Sequence, residues 1–209
     1  MSKIKIYGYD ESFKILARHF FERFSKVITD YEIIKLPKKT DVLVVEADSP
    51  INKYVKIFDY FKKFNIIEFK SPKDRFRIKE DLPKLFIYIG GILLNETAAT
   101  TTNTTFTLIC SYKPPDRLFQ IYKSAVQKLK NGVYLIQRII EVPVYIILVN
   151  EVQGELDREL ALLKEFTTGQ ARREYIRAVL LQVITGNKEL ADYLHFAFCL
   201  YKDEINDHR

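Results

Sequence analysis

The chain contains 209 residues, of which 47% are hydrophobic and 29% charged. These totals are typical of a soluble protein with one sizeable core and an appendage. Two cysteines far apart exclude a disulfide framework and a Cys/His zinc site, and no apolar run is long enough for a signal peptide or a membrane span. We therefore expect a cytoplasmic protein with no membrane partner. The 33 Lys and Arg residues outnumber the 27 Asp and Glu residues, and the net charge of +6 favours an anionic partner such as nucleic acid.

The first predicted element is an amphipathic helix over residues 11–28, "ESFKILARHFFERFSKVI". Asp10, immediately before it, is a residue type that caps helices. Apolar residues recur at spacings of three and four, which predicts one buried aromatic stripe. The stripe consists of Phe13, Leu16, Phe20, Phe24 and Val27.

Three strands are predicted next, in "YEIIKLP" (31–37), "TDVLVVEA" (40–47) and "NIIEFK" (65–70). The stretch 52–64, "NKYVKIFDYFKKF", lies between the second and the third. Its apolar spacing fits a helix, while its aromatic content would also suit a strand, and we favour the helix.

A second helix is predicted over residues 78–94, because the stretch has an acidic first turn and an early Pro83. Gly90 and Gly91 would each weaken this helix by about 1 kcal/mol relative to Ala, so close approach to a neighbouring strand is one reason to keep them. A polar loop over 95–105 and a buried strand, "FTLICSY", follow.

The remaining residues predict a helix over 116–129, two strands in the apolar run 133–149 split by Pro143, and a wholly helical pattern from Glu155. The order helix, three strands, helix, strand indicates an α/β core. We expect a domain of residues 1–152 and a helical C-terminal extension of residues 153–209.

Glu68 and Lys70 are two places apart in the third predicted strand. Side chains alternate between the faces of a strand, so these two project together, away from Ile67 and Phe69. Asp41, at the start of the neighbouring strand, would bring a second carboxylate to the same point. Two nearby carboxylates repel one another unless a divalent cation lies between them, and Mg²⁺ prefers such oxygen ligands. Lys70 could then orient an attacking water, help to deprotonate it, or offset charge on a pentavalent phosphate.

Asp41 followed by Glu68-x-Lys70, with the last two on a strand before a helix and another strand, resembles the PD-(D/E)XK nuclease superfamily. Within it, "NIIEFKSPKD" followed by "DLPKLFIYIGG" is similar to the prokaryotic recombination-promoting nucleases and their transposase-related group. The resemblance covers residues 11–150. It implies a restriction-endonuclease-like core, a four-stranded mixed sheet flanked by helices.

The resemblance also implies an activity, the Mg²⁺-dependent hydrolysis of DNA phosphodiester bonds, with Mn²⁺ as a substitute. Asp41, Glu68 and the Phe69 carbonyl would be the metal ligands, and Lys70 the catalytic lysine. The substrate would be DNA from mobile elements or invaders.

Two departures from the family pattern leave alternatives open. Thr40 stands where the motif has proline, and the insertion over 49–64 allows Glu46 or Asp48 to replace Asp41 if the strand register is shifted. Without a metal, Glu68 and Lys70 would form a cross-strand ion pair on a solvated sheet edge, worth under about 1 kcal/mol. Asp41 would then be a turn residue that opens a strand.

A group of basic residues follows the predicted site and would suit contacts with the phosphate backbone, or form ordinary solvated surface. The group consists of Lys73, Arg75, Arg77 and Lys84. Tyr88 shares a helix face with Lys84 and would pack in the core or line the cleft. The alternative function is a non-catalytic scaffold that keeps the nuclease fold and binds nucleic acid or assembles a homo-oligomer or larger complex through the C-terminal helices.

Overall fold

A computed structural model describes residues 2–29, 42–46, 56–71, 74–139, 141–152, 170–186 and 188–201. The chain divides into two compact units, one of Met1–Arg23 with Gln153–Arg209 and the other of Phe24–Val152. The predicted boundary after residue 152 coincides with a unit boundary. Residues 1–23, however, group with the C-terminal residues and not with the sheet as expected. None of the described helices is long and apolar enough to cross a membrane.

Helices make up the described part of the first unit: α1 (Ser2–Phe21), α4 (Gln170–Ile184) and α5 (Ala191–Leu200). α1 packs against α5, which explains why the N-terminal residues belong to this unit. Phe13, Leu16 and Phe20 are buried, so this part of the predicted stripe is confirmed. α1 begins at Ser2, so Asp10 lies inside the helix and is not its cap.

Seven strands form one sheet in the described part of the second unit, in the order β1-β2-β3-β4-β7-β6-β5. Neighbours are antiparallel except for the pairs β3–β4 and β4–β7, which are parallel. The strands are β1 (Lys26–Ile28), β2 (Val42–Glu46), β3 (Phe64–Lys70), β4 (Thr104–Cys110), β5 (Val126–Lys130), β6 (Val133–Ile139) and β7 (Val142–Leu148). This unit therefore has a mixed α/β fold, as the sequence predicts at that level.

The helix α2 (Ile78–Asn95) connects β3 to β4, and the short helix α3 (Asp116–Ile121) follows β4. α2 packs on the central strands, and its Leu85 and Ile89 join one core with Ile66 and Leu108. β3 and β4 are buried along their whole length. The predicted helix over 78–94 is confirmed, and so is the buried strand after the polar loop.

One predicted helix is wrong in the part that the structure describes, and another is shorter than predicted. The described part of the predicted helix over 52–64, residues 56–64, contains one short 3-10 turn, Lys56–Phe58, and β3 already begins at Phe64. The Asn65 side chain bonds both the N–H and the C=O of Lys62, at 2.8 and 2.6 Å, and these bonds fix a turn before the strand.

The helix predicted over 116–129 ends at Ile121, because Val126–Lys130 pairs with β6 as an edge strand. Val27, expected on the first helix, lies instead in the edge strand β1, where it pairs with Val45 of β2. Pro143 lies inside β7 and not between two strands, at a place where the pairing with β6 shifts register. The strand predicted over 31–37 lies outside the described residues.

Two glycines give a matched test of this backbone. Gly132 has φ +69°, and an added Cβ would lie 2.8 Å from the Leu148 carbonyl oxygen, so we expect Gly132→Ala to lower the free energy of unfolding by about 2 kcal/mol or more. Gly90 lies within α2 with nothing within 4 Å of an added Cβ, which does not support the expected close approach. Gly90→Ala should therefore raise stability by about 0.5–1 kcal/mol. Urea denaturation measures the change in the free energy of unfolding for each substitution. Equal effects of the two substitutions would contradict the backbone conformations assigned to Gly132 and Gly90.

Candidate functional site

The register of β2 against β3 determines which acidic residue is next to Glu68. Val42 lies directly opposite Glu68, whereas Glu46 lies opposite Phe64 at the far end of the pair. Four residues of strand correspond to about 13 Å, so this register disfavours Glu46 as a partner of Glu68. The residue that precedes Val42 in the chain is Asp41, the predicted ligand. Asp41 itself lies outside the described residues, and so do Asp48 and Lys73.

Glu68 and Lys70 project together from β3 toward α2, where they line a small pocket of about 10 Å³, room for about one water molecule. Glu68 is 8% exposed and Lys70 2% exposed. Since β3 is a central strand of the sheet, the alternative of an ion pair on a solvated sheet edge is wrong. Tyr88, from α2, lines the pocket and also belongs to the core, so both of its predicted positions apply.

Lys70 contacts three carboxylates at once. Its Nζ lies 3.3 Å from Oε1 of Glu68, 2.9 Å from Oδ2 of Asp74 and 3.0 Å from Oδ1 of Asp81. The three acids come from β3, from the segment after it and from the first turn of α2. A buried ammonium is costly unless it is paired in this way, and the pairing holds the end of β3 to the start of α2.

Asp81 connects this cluster to the start of α2. Its Oδ2 accepts a hydrogen bond from the Arg77 N–H at 2.5 Å, and its Oδ1 also accepts one from Lys84 at 3.4 Å. Burial alone would raise the pKa of Asp81, but the bond from Arg77 and the cations Lys70 and Lys84 outweigh burial and lower it. Asp81 is therefore an ionised carboxylate at neutral pH.

The charge state of Lys70 restricts what it can do chemically. Burial alone would lower the pKa of its ammonium, but Glu68, Asp74 and Asp81 more than offset burial and raise the pKa above its ordinary value of 10.5. Lys70 therefore remains an ammonium at neutral pH. Of its predicted roles, orienting a water molecule and offsetting negative charge fit this state, whereas removing a proton from water does not.

Hydrogen bonds to backbone atoms hold the segment between β3 and α2 in place. The Asp74 N–H donates to the Ser71 carbonyl and hydroxyl oxygens, both at 3.2 Å. Tyr112, just after β4, donates its hydroxyl to the Asp74 carbonyl at 3.1 Å and accepts from the Phe76 N–H. Desolvation raises the pKa of Tyr112 to about 12, so this hydroxyl stays protonated and can serve as the donor.

The described members of the predicted basic group all have exposed side chains. Lys84 lies at the pocket itself. Arg77 is paired with Glu80 at 2.8 Å, and the Arg75 guanidinium lies 5.7 Å from the centre of the Tyr112 ring. These three cations are therefore placed near the pocket or beside the segment that leads to it.

Hard oxygen donors that suit Mg²⁺ are present on β3. Glu68 offers a carboxylate, and the adjacent Phe69 offers the main-chain carbonyl that the resemblance implies. Within the described residues, no group of three or more His, Cys, Asp or Glu side chains could hold a metal ion. Glu68 and the Phe69 carbonyl are thus two of the donors that the predicted metal would need, and Asp41, the further carboxylate, lies outside the described residues.

Comparisons with known proteins give the chain no relative. No protein-family model, no curated protein and no solved structure matches it. The resemblance to the PD-(D/E)XK superfamily therefore stays a prediction.

The sequence analysis missed Asp74 and Asp81. Asp81 enters it only within the acidic first turn of the predicted helix, and Asp74 only as the last residue of "NIIEFKSPKD". The sequence did contain a signal for them. A lysine predicted in a buried strand requires carboxylate partners, and Asp74 and Asp81 are both close to Lys70 in the chain. Their convergence on Lys70 could have been proposed on that ground.

The contribution of Asp81 can be measured against a neighbour in the same helical turn. We expect Asp81→Asn to lower the free energy of unfolding at pH 7 by about 2–3 kcal/mol, because charge-assisted bonds to a buried ammonium weaken. Glu80→Gln removes an exposed carboxylate whose partner is Arg77, and it should cost less than about 1 kcal/mol.

The same pair of variants tests the pKa of Asp81. A carboxylate whose pKa is lowered by folding stabilises the protein above its unfolded value, near 3.8, and loses that effect as pH falls through the lower folded value. The gap between the wild type and Asp81→Asn should therefore shrink below about pH 4. Urea unfolding measured at neutral and acidic pH gives the answer, and a gap independent of pH would contradict the assignment.

Proposed function

We propose that this chain is a Mg²⁺-dependent endonuclease that hydrolyses DNA phosphodiester bonds, acting on mobile-element or invading DNA in a prokaryotic cytoplasm. The observation that carries the proposal is the buried pair of Glu68 and Lys70, 3.3 Å apart on β3 and facing a pocket. The pairing of Val42 with Glu68 adds support, because Asp41 directly precedes that residue.

The order β1, β2, β3, α2, β4 supports a restriction-endonuclease-like core, since it contains three strands, a helix and a fourth strand. In this proposal the third strand carries the catalytic pair, and α2 covers it. The parallel β3–β4 pair keeps the end of β3 beside the end of β4, where Tyr112 holds the connecting segment.

In the proposed reaction, the residues of the site have separate roles. Glu68, the Phe69 carbonyl and Asp41 would hold the metal ion, which when bound supplies a Lewis acid and a water of lowered pKa. Lys70, kept as an ammonium, stabilises negative charge that develops on the phosphate oxygens. Its low exposure strengthens this effect, because little water competes for the charge. Asp81 positions Lys70 from the helix side. Arg75, Arg77 and Lys84 contact the phosphate backbone.

Cleavage of supercoiled plasmid in the presence of Mg²⁺ or Mn²⁺ tests the proposal. We expect Glu68→Gln and Lys70→Arg to lower the rate at least about 100-fold, because one removes a ligand charge and the other displaces the ammonium. Asp59→Asn serves as the control, since Asp59 is exposed and pairs with Lys130 away from the site.

Circular dichroism establishes that each variant is folded before its rate is compared. Cleavage that persists at the wild-type rate in both folded site variants would rule out this site. The same preparations, titrated calorimetrically with Mn²⁺, address the second candidate function.

The second candidate is a non-catalytic scaffold that assembles a larger complex. It is favoured by apolar side chains that remain exposed on helices, Leu181 at 63% and Ile184 at 70% on α4 and Leu94 at 84% on α2. A scaffold needs no metal at Glu68, so a protein that neither binds Mn²⁺ nor cleaves plasmid would favour this candidate over the nuclease.

A further inference from the structure

The three carboxylates on Lys70 differ in their access to solvent. The side chains of Glu68 and Asp81 are 11% and 3% exposed, whereas that of Asp74 is 46% exposed. Glu68 and Asp81 are also built into β3 and α2, while Asp74 belongs to the connecting segment. Asp74 is therefore the partner that covers Lys70 on the solvent side.

The Asp74 carboxylate can leave Lys70 without undoing the segment. The backbone of Asp74 is held by Ser71 and Tyr112, and Phe76 is buried in the core. None of these anchors uses the carboxylate. Its contact with Lys70, at 2.9 Å, is the only hydrogen bond that it accepts among the described residues.

We propose that Asp74 occupies, in the free protein, the position on the Lys70 ammonium that a phosphate oxygen of DNA takes when the substrate binds. This inference rests on the proposed function and adds a regulatory element to the same site. A phosphate oxygen makes the same kind of charge-assisted bond to an ammonium as a carboxylate does.

The charges of the ion cluster show why the two anions compete. Three carboxylates surround the Lys70 ammonium, and Lys84 adds a second ammonium at Asp81, so the free cluster carries an excess of negative charge and repels a phosphate. When Asp74 moves away, the negative excess decreases. Because its side chain is already half exposed, the released carboxylate regains water at little cost. Arg75 and Arg77, exposed in the same segment, offer the incoming DNA a compensating charge.

Binding of a short fluorescein-labelled DNA duplex to the full-length protein, followed by anisotropy, tests the inference. Ca²⁺ replaces Mg²⁺ to supply a hard cation, and a gel verifies that the duplex stays intact. Two variants, Asp74→Asn and Asp74→Ala, should each bind roughly fivefold more tightly than the wild type. Asp59→Asn is the matched control, because it removes the same charge from another exposed aspartate paired with a lysine.

Tighter binding by both Asp74 variants, with Asp59→Asn close to the wild type, would support the inference. Equal effects at the two aspartates would overturn it, since the gain would then reflect net charge alone, and the proposed function would still stand because the wild type binds DNA. If neither the wild type nor any variant binds the duplex, the proposed function fails and this inference fails with it.

Discussion

The buried ammonium of Lys70 is the constraint on which this site depends. A charge inside a protein is tolerated only when partners replace its lost hydration. Here Glu68, Asp74 and Asp81 replace it. These partners come from a strand, a connecting segment and a helix. The pairing of the Lys70 ammonium therefore fixes the relative positions of all three elements. The geometry of the pocket then follows from the position of Lys70.

Under the proposed function, the pairing that stabilises this region also prepares it for catalysis. An ammonium held by carboxylates keeps its proton, so it presents a fixed positive charge in a place with little water. Once a phosphate has replaced Asp74, such a charge would be preorganised for an anionic transition state. The cluster also borders a small pocket with Lys84 at its side, so the ammonium lies close to solvent without being exposed to it.

The sequence predicted the features that depend on local periodicity. The alternation along β3 placed Glu68 and Lys70 on one face, and the acidic first turn with its early Pro83 predicted α2. Edge strands were missed because their residues also fit a helix: "VQKLK", with lysines at mostly exposed positions, becomes β5 only through its pairing with β6. In the same way, Lys26–Ile28 continues the helical sequence pattern of α1 but forms the strand β1, because it pairs with β2. Asp74 and Asp81 could not be placed by periodicity, since Asp81 reaches Lys70 through the packing of α2 over β3 and Asp74 through the conformation of the connecting segment.

The proposed function requires that Glu68, next to a lysine that keeps its proton at neutral pH, takes part in a divalent metal site with Asp41. Crystals soaked in Mn²⁺, with diffraction data collected at the manganese absorption edge, would show whether it does. We expect an anomalous peak within coordinating distance of the Glu68 carboxylate and of Asp41, with Lys70 alongside. An ordered Asp41 carboxylate directed elsewhere, with no peak at Glu68 and Lys70 still bound to its three carboxylates, would contradict it.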